Sequence, residues 1–533
     1  MALVTAGRRG TLYRLLTVVS LLAILITYAL TLLSYSQIMG FDDYFGQMTL
    51  DPYAFPLFSA ITVLSVALIY SAKRGSNVVF LVVPLAAFVL ARFYLPWFTF
   101  PQYSSTFYDA PAFLGRTEYV VYTGHTTPIY PLDEIVRQEP GFEWASAMLI
   151  DIVSGVPTSP SSFILSFLVK YYNVMEALIY TPIVLYVFRS LGLSVQKSFL
   201  GLIIFLGFEF SPNLHFVDQT YSVPLYWLLL LLVYMSVKEG GTRHSLPIAV
   251  LSAGIILSQL GVAFFAFFGL LALTIYYLRR HKASLYYTAL FGVGWIGYLN
   301  YLASVYGGYV VLGYDTVTFY SSPSNAVNVV SQDLYRPLPL WAEIVFYEAV
   351  YMAIITLTPV LILFLASRSN RDYRALALLV LITSLVVGPV SVKLGGAGYI
   401  TRIPQHLMPF LAIAFTEVAS STRFRHILAA AVLALVLVGS LYYYEGRNFE
   451  ATLNNNYFQF LYAYSTSKPP SFLLTYYYPP TVNATLSGYS VTGLIQSYYY
   501  EYGDLSVIRQ IIFNTSLKYG IIYMAPGTVI GIA

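Results

Sequence analysis

Cysteine is absent from the 533 residues, which excludes disulfides, thiolate metal sites, iron–sulfur clusters and cysteine nucleophiles together. Any bound metal must use oxygen or imidazole. Charge is scarce as well: 10% of residues are Asp, Glu, Lys or Arg, against about 25% in ordinary soluble domains. With 58% hydrophobic residues and a mean hydropathy of +0.69, a soluble enzyme is excluded. The formal charge of +4 is too small for a protein whose affinity for nucleic acid comes from neutralising many phosphates, so no nucleic-acid partner is expected.

Long apolar runs are what the chain has instead. A bilayer core about 30 Å thick needs roughly 20 apolar residues per helix, and thirteen stretches qualify: 12–34, 55–72, 78–97, 161–189, 198–210, 222–237, 246–261, 262–278, 284–303, 339–367, 375–392, 405–421 and 427–443. The fold class expected is therefore an all-α polytopic membrane protein. It divides into an N-terminal hairpin at 1–77, a transmembrane core at 78–443 with long loops at 98–160 and 304–338, and a small extracytoplasmic domain at 444–533. The first span follows Arg8 and Arg9 but is too long for a signal-peptide core, so it reads as an anchor.

The few charges are arranged by side. If the N-terminus is cytoplasmic, the alternate loops on that face carry 17 of the 28 basic residues and, of the 24 acids, only Glu239 and Asp372. Lys/Arg bias on short loops is the accepted orientation signal, and all seven inner segments agree. The three long segments then lie outside at the plasma membrane, including two N-glycosylation sequons at Asn483 and Asn514. Fifty Tyr residues suit interfacial anchoring.

Three outer segments hold candidate chemistry. Loop 98–160 contains two stretches of helical spacing: one with Asp109, Arg116 and Glu118 opposite an apolar side, and one in which Phe142, Ala145, Met148, Leu149 and Ile152 recur every three or four residues. Both read as helices lying on the membrane surface. Around loop 211–221, Glu209, His215, Asp218 and Gln219 can ligate a divalent cation or take a proton, or are ordinary solvated loop residues. Segment 393–409 places Lys393, Arg402 and His406 among glycines on the outer side. There they either hold a lipid phosphate or snorkel to headgroups. Inside the spans, Lys170 and Glu176 are expensive in lipid and must face protein or water.

In sequence order, these features resemble the GT-C-fold glycosyltransferases, membrane enzymes that use polyprenyl-phosphate-linked sugars, and the composition is similar to that of archaeal members. The pattern covers roughly residues 78–420. It comprises Tyr108-Asp109, a helix ending in Tyr122-Thr-Gly124, Pro140-Gly141-Phe142, a second surface helix ending in Ser154-Gly155, the loop from His215 to Gln219, and Arg402 before Pro404 and Pro409.

The resemblance implies that Asp109 is the base or a metal ligand at the acceptor. It also implies that Glu209 and Asp218 are metal (Mg or Mn) or acceptor contacts and that Arg402 contacts the donor phosphate; from the residues themselves, His215 is a further candidate metal ligand, and Lys393, His406 and Gln219 are further candidates for substrate binding. It implies as partners a polyprenyl-phosphate-linked sugar, membrane lipid and an acceptor glycan, lipid or protein. The sequence departs from the family at Ser258-Gln259-Leu260, where many members carry a His, and in lacking a DxD in loop 211–221. Tyr500-Glu501-Tyr502-Gly503-Asp504 shares only part of the acceptor motif of oligosaccharyltransferases. The rival expectation is a transporter, flippase or scaffold with the same architecture, using Glu176 or Lys170 near mid-membrane.

Overall fold

The structure, a computed structural model, describes residues 140–154, 162–207, 218–240, 243–278, 282–305, 309–312, 315–318, 357–368, 370–394, 398–421, 472–475, 491–492, 521–525 and 528–531. It also describes scattered positions in 15–26, 82–89, 117–124 and 434–437. Ten helices are resolved in this set: α1 (Gly141–Ser154), α2 (Ser162–Ser190), α3 (Val195–Gly207), α4 (Asp218–Glu239), α5 (Ser245–Ser258), α6 (Leu260–Tyr277), α7 (Ala283–Val305), α8 (Leu357–Ala366), α9 (Asp372–Leu394) and α10 (Gly398–Ser421). Two of them, α4 and α6, are long and apolar enough to cross a membrane.

The bundle is all-helical, as its composition implies. Outside it, the backbone carries a strand pair, β1 (Tyr309–Leu312) with β2 (Asp315–Thr318), antiparallel with Tyr309 opposite Thr318. The C-terminal segment carries β3 (Phe472–Thr475), β4 (Val491–Thr492), β5 (Ile521–Ala525) and β6 (Thr528–Gly531), in the order β4-β3-β6-β5.

Local chemistry sets the helix ends. The α2 C-terminus closes on Gly192, whose φ of +87° is the left-handed conformation glycine adopts freely, with Leu193 N–H reaching back to the Phe188 carbonyl at 3.1 Å; this is a Schellman ending. Ser194 then caps α3, accepting from Lys197 N–H at 3.3 Å, and Asn370 Oδ1 accepts from Asp372 N–H at 3.0 Å at the start of α9. These side chains supply partners for backbone donors that a first turn leaves open. The helix expected to end in Tyr122-Thr-Gly124 has Thr117, Val120 and Val121 in helical conformation. It stops at Gly124, with φ +68° and its N–H on the Val120 carbonyl at 2.8 Å.

Side-chain pairs fix the helix directions. The α6 residues Thr274, Phe267 and Phe264 meet Thr288, Gly292 and Trp295 of α7 in that order, so α6 and α7 run antiparallel. In contrast, Ser245 and Ile256 of α5 meet Tyr287 and Gly294 of α7, a parallel pair. Hence α5 and α6 form a hairpin whose turn is one extended residue, Gln259, with φ −162°. Its side-chain oxygen caps α6 by accepting from Val262 N–H at 2.6 Å. The sequence placed this reversal between 261 and 262.

Four connections converge at one end, here the basic end. Asn370 Nδ2 donates to the Leu191 carbonyl at 3.1 Å, Tyr276 OH to the Arg371 carbonyl at 3.3 Å, and Lys238 pairs with Asp372 at 3.3 Å. These tie together the α2–α3, α4–α5, α6–α7 and α8–α9 turns, all assigned to one face by the charge pattern. Glu417, counted with a span in the sequence, belongs to this end too. It is buried, with both oxygens on Lys197 Nζ at 2.9 and 2.8 Å and Oε1 also accepting from Tyr373 OH at 2.8 Å.

Candidate functional site

At the opposite end, α1 lies against α2, α4 and α5. Its first residue fits only because it is glycine: a Cβ on Gly141 would sit 3.0 Å from backbone atoms of Leu257 and Ser258 and closer still to the Ser258 hydroxyl. Phe142 inserts beside Tyr172 of α2 (6.3 Å between ring centroids) and Tyr221 of α4 (5.9 Å). The face turned inward carries Phe142, Glu143, Ala147 and Ile150, with Glu143 fully buried, whereas Trp144, Met148, Leu149 and Ile152 are exposed, Ile152 by 80%. The apolar stripe read from spacing therefore points out of the bundle, apart from Phe142. Periodicity finds such a helix but cannot say which side faces protein when both sides are largely apolar.

Below α1 a polar seam runs between α2 and α4. Tyr172, Glu176 and Tyr180 recur every four residues and so share one face of α2; the Tyr172 hydroxyl lies within hydrogen-bonding reach of Glu176 and Thr220. Pro224 has no N–H, so it cannot bond the carbonyl four residues back, that of Thr220. The Tyr180 hydroxyl donates to that carbonyl instead. Glu176 is 3% exposed in this seam.

The seam reaches α10 through Trp227. Its ring packs edge-on against Tyr180 (5.6 Å) and Phe205 (5.2 Å), and its Nε1 donates to the His406 carbonyl at 2.7 Å. The His406 ring stacks on Phe265 at 3.8 Å and 7°, with Tyr226 6.2 Å away. Closer to the helix starts, Gln219 Nε2 donates to Gln405 Oε1 at 3.3 Å. Asp218, buried in the first turn of α4, accepts from Gln219 N–H at 2.6 Å.

Several sequence candidates are thereby placed. Asp218, Gln219 and His406 come together through Gln405 and Trp227, a neighbourhood that also includes Glu176. Of the outer-side segment 393–409, the part expected to lie between spans, 393–404, is largely helical too: Lys393 lies in the last turn of α9 and Arg402 in the second turn of α10. His406 is eight residues into α10, about 12 Å from its start at 1.5 Å per residue, and is 1% exposed, so it is a core residue and not a headgroup contact at the rim. Pro404 and Pro409 signal a break in the sequence, yet both sit inside α10; neighbouring helices supply the partners that make such prolines tolerable. Asp109, Glu209 and His215 lie outside the described residues, as does the side chain of Lys170.

Sequence reasoning missed Gln405, Glu143 and the aromatic lining of the seam. Only Gln405 left a signal, as a polar residue beside His406. Among the described residues, no three carboxylate or imidazole groups assemble to hold a metal ion, and one oxygen of Asp218 is already committed to Gln219 N–H, so these residues alone do not make a metal site. No protein-family model matches the chain, and no curated protein matches it.

Proposed function

We propose that this is a membrane glycosyltransferase of GT-C-like architecture with thirteen spans. On this reading it moves a sugar from a polyprenyl-phosphate carrier to an acceptor at the end of the bundle opposite the basic loops. The observation that supports it best is a surface-type helix, α1, packed at that end against α2, α4 and α5 with a buried carboxylate, Glu143, on its inner side; the first turn of α4 carries Asp218 and Gln219, the latter bonded to Gln405. Carboxylates are the groups that remove an acceptor proton, amides bind sugar hydroxyls, and a guanidinium such as Arg402 offsets charge on a departing phosphate. Asp109 is assigned as base, with Glu209, His215 and Asp218 assisting and Lys393 near the phosphate. His406 is assigned to support Gln405 from below.

The test is sugar transfer from a radiolabelled polyprenyl-phosphate donor by the full chain in vesicles. Asp109→Asn should lower the rate by about 10²–10⁴-fold, the ordinary worth of a general base; full activity in that variant would end the assignment. A second reading, a carrier with the same architecture, draws on one observation, the burial of Glu176 within the bundle, since ionisable groups inside membranes mark ion and proton paths. It requires transmembrane flux that Glu176→Gln abolishes while leaving sugar transfer undetectable in both proteins.

A further inference from the structure

The basic end carries more positive charge than its own acids take up. Among the described residues, the ion pairs there occupy Lys197 with Glu417 and Lys238 with Asp372, and Glu239 lies 3.3 Å from the His244 ring. Arg243, Lys282, Arg368 and Arg371 are exposed and outside any of these pairs. Each of the four connections bearing cations also bears exposed apolar residues within a turn: Tyr186 beside Arg189, Leu246 beside Arg243, Leu278, Leu285 and Tyr286 around Lys282, and Leu365 beside Arg368. Hydrogen bonds between turns hold the cations as one rim, with Arg371 anchored by its carbonyl on Tyr276 and the neighbouring Asn370 reaching Leu191.

We propose that this rim binds the headgroups of anionic phospholipids in the leaflet beside it, the phosphodiester among Arg243, Lys282, Arg368 and Arg371 and the acyl chains along the adjoining apolar side chains. Guanidinium forks match phosphate oxygens, and clustered cations at a membrane surface attract anionic lipid. The interleaved apolar residues distinguish this surface from one for free phosphate, which has no chains to bury. The inference is independent of any sugar-transfer activity.

The test titrates phosphatidylglycerol and phosphatidylcholine of equal chain length into the detergent-solubilised full chain and counts retained lipid by native mass spectrometry. The wild type should hold phosphatidylglycerol more tightly. The quadruple variant R243Q/K282Q/R368Q/R371Q should lose at least about tenfold of that preference, given roughly fivefold per cation near a surface. A charge-preserving variant, R243K/R368K/R371K, should keep most of it and guards against loss through misfolding. Equal retention of the two lipids by the wild type would overturn the proposal, as would an undiminished preference in the quadruple variant. So would inorganic phosphate stabilising the protein against heat as strongly as phosphatidylglycerol does.

Discussion

At the residue scale, the most constrained charge is Glu417. A buried carboxylate is tolerated only with partners, and Lys197 and Tyr373 provide them. Because Lys197 is a third exposed, water weakens the attraction, so Glu417→Gln should cost about 1–3 kcal/mol, below the full value for a wholly buried pair. Unfolding in detergent measures it. Tyr373, just before the 375–392 span, adds a pH signature. Burial first, then the Glu417 charge, raises its hydroxyl above the ordinary phenol range. A raised pKa means the stability this group contributes is fully present below about pH 10, the unfolded value, and is lost as pH climbs beyond it. Unfolding scans from pH 8 to 11 should therefore show the wild type weakening above pH 10 more than Tyr373→Phe does.

At the scale of elements, prolines and glycines decide how helices meet. If the Tyr180 hydroxyl replaces the backbone bond that Pro224 removes, Tyr180→Phe should cost about 1–3 kcal/mol by stranding a buried carbonyl. The same change should cost about 1 kcal/mol less in a Pro224→Ala background, where the N–H returns; a double-mutant cycle on unfolding reads the coupling. Gly141→Ala should destabilise by about 1–3 kcal/mol through overpacking and, on the transferase reading, lower sugar transfer by lifting α1.

Much at this scale was legible in advance. The reversal near Gln259 lies within three residues of its expected place because a polar residue interrupts two apolar runs, and Gly124 ends a helix where a glycine follows an apolar repeat. The helical course of 398–404 was not legible, because Gly395, Gly396, Gly398 and Pro404 read as breakers in water; from 405 onward the helix follows the span expected at 405–421. Nor could spacing show that Gln219 meets Gln405, a contact between residues 186 positions apart.

At the scale of the molecule, the gathering of the basic turns at one end was readable from charge alone, since each turn carried the same sign. What the sequence left open is which acids share a site, because that depends on how helices distant in the chain pack. Orientation has a direct test, helped by the natural lack of cysteine. A Lys282→Cys variant should react with a membrane-impermeant thiol reagent only after cells are opened, whereas Met148→Cys should react in intact cells. The opposite pattern would reverse the proposed sidedness.

The hairpin of α5 and α6 carries one more implication. With 14 residues, α5 is about 21 Å long at 1.5 Å per residue, well short of a bilayer interior of about 30 Å. On the proposed thirteen-span reading, in which α5 is a membrane segment, lipid beside it must thin to match, at a modest cost for each ångström of mismatch. The dimple so formed would lie next to Gln259, under the rim where α1 begins, and would bring the water boundary down toward the polar seam without any moving part.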